Sequence, residues 1–67
     1  MTNEQKQEYN TFLENLNKAK AWLDNPKVSL EKREAFIPRV QELMRDMERI
    51  RKSFNLTNTE MMEGFRL

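Results

Sequence analysis

Residues 36–54, FIPRVQELMRDMERIRKSF, decide the fold. The apolar residues Phe36, Val40, Leu43, Met47, Ile50 and Phe54 recur at alternating intervals of four and three. That is the a/d pattern of a helix burying one narrow face against another helix. Ile37 and Met44 widen the stripe by one position around the helix.

A matching stripe precedes it. Tyr9, Phe12, Leu16, Ala19 and Leu23 are spaced three, four, three, four, and Leu13 broadens the line. Thr2 and Gln5 have capping-box spacing, and Glu4 sits where the helix dipole favours an anion. A first helix is therefore expected over 3–24, with Glu14 and Lys18 forming an i,i+4 pair on its outer side. Asn25-Pro26 stops it, because the residue before proline is driven out of the α region. Ser29 caps the next helix, and so short a connection makes the two helices antiparallel neighbours.

Pro38 lies inside the second helix. It removes one backbone hydrogen bond and meets the carbonyl of Glu34, at a cost of about 3 kcal/mol in a regular interior. A split into two helices at Pro38 would leave Ile37 as a poor cap. The Phe36–Val40 interval keeps the seam in phase across the proline, so the reading carried forward is one helix, 29–54, kinked near Pro38. Thr57 and Glu60 form another capping-box pair, and a short third helix is expected over 58–65. Its apolar residues have two competing uses: closing the open end of the hairpin beside Tyr9 and Phe12, or meeting a partner.

The expected fold class is all-α: an antiparallel helical hairpin with a short C-terminal third helix, dimerising into a helical bundle. Composition agrees, with 34% charged residues, one Gly and two Pro, far from a loop-rich β composition. Sixty-seven residues make one domain, whose core supplies only about 3–5 kcal/mol. There is no Cys and no His, so disulfides and Cys/His zinc sites are excluded as reinforcement. Self-association, hence a homodimer, or unusually good helix packing is the remedy left open, and the homodimer is the expectation carried forward. No signal peptide or membrane-length apolar run is legible, and the expected location is cytoplasmic.

Catalytic chemistry has little to stand on. No His is available as base, no Cys as nucleophile, and no glycine-rich loop to hold phosphate. Glu31 with Glu34, Glu42 with Asp46, and Glu60 with Glu63 are carboxylate pairs at helical spacing, read as solvated faces rather than cation sites. The expectation is no enzyme, no cofactor and no metal.

Net charge is +1, with both signs interleaved along the second helix, which is not the balance of a chain that binds nucleic acid by charge alone. Arg45, Arg49 and Lys52 do share one side, at i, i+4 and i+7, and form the candidate nucleic-acid footprint; a solvated face with intrahelical ion pairs is the simpler account. Leu56–Met62 resembles the opening helix of helix-turn-helix domains, though a recognition helix would have to follow it. Trp22, Met61, Met62 and Phe65 are the candidate contacts for a protein partner, since Trp is enriched at binding hot spots and Met supplies adaptable surface. Against that, Trp22 has the alternative of closing the loop end on Val28 and Leu30.

The function expected is a non-enzymatic protein–protein interaction module, accessory or regulatory, acting on a larger protein partner or by self-association. In length and layout the architecture resembles the Rop family, dimers of helical hairpins that bind RNA; this resemblance implies the alternative of a nucleic-acid-binding regulator and carries no site residue over. A structural oligomerisation module is the remaining alternative.

Overall fold

The computed structural model describes residues 1–67 and contains three helices: α1 (Asn3–Leu23), α2 (Leu30–Phe54) and α3 (Asn58–Glu63). Each begins on a side chain that satisfies an otherwise orphan amide. Thr2 Oγ1 accepts from Gln5 N at 3.1 Å while Gln5 Oε1 accepts from Thr2 N at 2.8 Å. Ser29 Oγ accepts from Lys32 N at 3.3 Å. Thr57 and Glu60 repeat the reciprocal box, at 3.0 and 3.1 Å.

The α1–α2 turn is organised by Asn25. Its side-chain oxygen accepts from Lys27 N at 3.0 Å, and its carbonyl accepts from Val28 N at 3.1 Å and from Arg33 Nη2 at 2.5 Å. Asp24 caps α1, one residue short of the expected end, because Pro26 leaves Asn25 no helical continuation. The two long helices then pack side by side as the expected hairpin.

α2 runs unbroken through Pro38. Pro38 and Glu34 are both exposed, so the lost hydrogen bond lies on the outer side of the helix, away from the core. The helix ends at Asn55, whose φ of 53° and ψ of 49° are left-handed, a conformation Asn tolerates better than most residues. Leu56 N then donates back to Arg51 O at 3.0 Å, and Leu56 drops into the core.

α3 stops at Glu63, two residues before its expected end. Gly64 adopts φ 79° and ψ −163°, which terminates the helix and sends Phe65 back toward α1. Of the two uses open to its apolar residues, Met61 and Phe65 take the first and pack on the hairpin. The buried core comprises Tyr9, Leu13 and Leu16 of α1, Val40 and Met47 of α2, and Leu56 between α2 and α3.

Candidate protein-interaction face

Numbering both seams as heptads puts Tyr9, Leu16, Leu23, Val40, Met47 and Phe54 at a, and Phe12, Ala19, Phe36, Leu43 and Ile50 at d. The two sets are not equally covered. Tyr9, Leu16, Val40 and Met47 are buried, while every d residue is only half-buried.

At the open end of the hairpin, α3 and the residues after it lie over one side of the pair. Tyr9 Oη donates to Met61 O at 2.6 Å, and the Asn10 side chain exchanges two hydrogen bonds with the backbone of Phe65. A methyl group built on Gly64 would fall 3.3 Å from Leu13 Cδ2, and Lys6 Nζ stands 5.6 Å from the Phe65 ring centroid. Lys6, Asn10 and Leu13 occupy the e and b side of α1, so α3 and its tail cover that side.

The opposite side, at d and g, keeps a groove of about 230 Å³ between the open ends of α1 and α2. Met1, Tyr9, Phe12, Ile50 and Phe54 line it, and Gln5 and Glu8 form its polar rim. At the other end of this side, the Trp22 ring meets Phe36 edge-on, with centroids 4.9 Å apart. Trp22 is 37% exposed and Phe54 42% exposed, large values for the two aromatic rings that bracket a helix seam. Trp22 thus closes on Phe36, while Leu30 is 69% exposed and Val28 is half-buried.

The four candidate partner contacts do not converge. Met61 and Phe65 contribute to the fold, with Phe65 edge-on to Tyr9 at 5.8 Å. Met62 is exposed at the α3 end. Trp22 lies thirteen residues beyond Tyr9 along α1, a separation of about 20 Å at 1.5 Å per residue. Of the four, Trp22 belongs to the open apolar face. Phe12, Ile50 and Phe54, its companions there, are legible in the sequence only as ordinary seam residues; nothing in their spacing tells which side α3 will cover.

The basic cluster is largely neutralised on its own helix. Arg49 pairs with Asp46, and Lys52 Nζ lies 4.0 Å from Glu48. Glu48 is shared with Arg51, whose hydrogen bonds hold the Glu48 carboxyl below the usual carboxylate range. Arg45 alone of the three has no ion-pair partner. The expected Glu14–Lys18 pair forms at 3.2 Å. No three acidic side chains converge into a cation cage, and no helix is long and apolar enough to cross a membrane.

A second apolar line is present on α2, where Leu30, Ile37 and Met44 recur every seven residues at e. All three are exposed. They lie on the same side of the helix pair as α3, beyond the part that α3 covers. Comparison with protein-family models, curated proteins and solved structures gave no match.

Proposed function

We propose that this chain is a non-enzymatic protein-interaction module whose working surface is the hairpin face opposite α3. One observation carries the reading: the d residues of both seams stay half-exposed on that side, and Phe54 is exposed beside them, while the a residues Tyr9, Leu16, Val40 and Met47 are buried. A helix pair left apolar on one flank gains by docking another helix or helix pair there. The aromatic residues Trp22 and Phe54 at its two ends are of the type that anchors interfaces, and Glu8 and Gln5 supply a polar rim.

Site-specific photo-crosslinking in cells tests this. A crosslinking residue at position 22 or 54 is expected to give discrete adducts, and the same residue at the outward positions Gln7 or Glu14 is expected to give none. Adducts from the outward positions alone, or from no position, would remove the support for this surface.

A further inference from the structure

We infer that the occupant of the open d/g face is a second copy of this chain, giving a four-helix bundle with α3 on its outside. This rests on the reading of that face as the interaction surface and names what binds there.

The first argument is area. The chain exposes 5351 Å² at a mass of 8.2 kDa. A folded monomer of that mass is expected to expose about 4,500 Å². The excess, about 800 Å², is close to what each partner contributes to a standard stable interface. Shape gives the same answer. The radius of gyration is 13.4 Å, against about 11 Å for a compact chain of this length. The molecule measures 40 × 21 × 18 Å, a single helix layer with a cap at one end. Doubling it through its open face would thicken the thin direction and leave the long one unchanged.

The second argument is charge. A net charge of +1 gives two copies almost no mutual repulsion. The rim of the face carries both signs, with Glu8 on α1 and Lys32 and Arg39 on α2 at its g positions. A strongly basic or acidic partner finds no matching field here, whereas a second copy brings the same mixed rim. The third is patch composition. Phe12, Phe36, Leu43 and Ile50 are the residue types that already form this chain's own seam, so a copy supplies side chains of matching size and spacing.

Sedimentation equilibrium of the purified full chain, from micromolar to millimolar, tests the proposal. The expected result is a species of twice 8.2 kDa, with a melting temperature that rises with concentration. The double variant Trp22→Gln, Phe54→Gln is expected to raise the dissociation constant at least tenfold. The variant Ile37→Gln, Met44→Gln, on the other side of α2, is expected to leave it within twofold. A monomer at millimolar concentration overturns the proposal, and so does a dimer weakened by the second variant but not the first. Should the first variant fail to fold, isotope-filtered NMR on a mixture of labelled and unlabelled wild-type chains decides instead. Intermolecular contacts among Phe12, Leu43 and Ile50 support it; contacts confined to Leu30, Ile37 and Met44 overturn it. A monomeric chain whose positions 22 and 54 still crosslink to another protein in cells would end the second-copy inference alone and leave the interaction reading standing.

Discussion

The side chain of Asn10 and the backbone of Phe65 exchange two hydrogen bonds, each 2.7 Å long, across 55 positions of sequence. Nδ2 donates to the Phe65 carbonyl, and Oδ1 accepts from the Phe65 amide. One amide side chain thus treats the tail as a strand edge would and fixes which side of the hairpin α3 covers. The uncovered face follows from that choice.

Asn10 and Gly64 are expected to be energetically coupled. A Cβ on Gly64 would stand 2.6 Å from Asn10 Oδ1, in a backbone conformation close to glycine-only. Gly64→Ala and Asn10→Ala should each destabilise the fold by about 1–3 kcal/mol. The double variant should lose less than the sum, because Asn10→Ala removes the atom that the new methyl meets. Thermal melts of the four proteins check this; strict additivity would contradict the geometry.

Tyr9→Phe should cost about 1–3 kcal/mol, because it leaves the Met61 carbonyl unpaired in a partly buried position. Burial pushes the Tyr9 phenol above its ordinary value. The fold therefore favours the protonated phenol; its contribution is complete below about pH 10 and falls away as pH rises further. Wild type should lose stability in that window and Tyr9→Phe should lose less, as read by urea midpoints.

Glu60 behaves in the opposite sense. Its hydrogen bonds with Thr57 hold the carboxyl below the usual carboxylate range. The stabilisation is present above the unfolded-state value and is lost as pH falls through the lowered one. Glu60→Gln keeps the capping box and removes that titration. Its α3 amides should exchange at a rate less sensitive to acid than those of wild type; identical acid sensitivity would show that other carboxylates govern the loss.

Leu16 is the one residue with no exposed surface. Leu16→Ala should cost about 2–5 kcal/mol. Against a core worth about 3–5 kcal/mol, that should leave the chain largely unfolded at 25 °C by circular dichroism. Leu30→Ala, at a site 69% exposed, should change stability by no more than about 0.5 kcal/mol.

Pro38→Ala should raise the melting temperature. The proline is exposed within a continuous helix, and alanine restores the amide that the Glu34 carbonyl lacks. The gain is bounded by the roughly 3 kcal/mol that proline costs in a helix interior. An unchanged or lower melting temperature would mean that Pro38 contributes packing, or restriction of the unfolded chain, that offsets its helix cost.

What the sequence determined by itself was local and periodic. The two seams, the caps at Thr2, Ser29 and Thr57, and the stop at Asn25-Pro26 rest on interactions within a few residues, so spacing alone reveals them. The short turn then forces the helices to be antiparallel. The end of α3 was less legible, because Gly64 breaks the helix in order to bring Phe65 to Asn10, a contact 55 positions away. The side of the hairpin that α3 covers was not legible at all. The residues flanking the seams on both sides are compatible with cover, and only the hydrogen bonds of Tyr9 and Asn10 to the tail select one. Those bonds decide that Met61 and Phe65 serve the core and that Trp22 stands on the side the tail leaves open. A seam's existence is written in its period; which flank stays open depends on contacts between residues that the period does not relate.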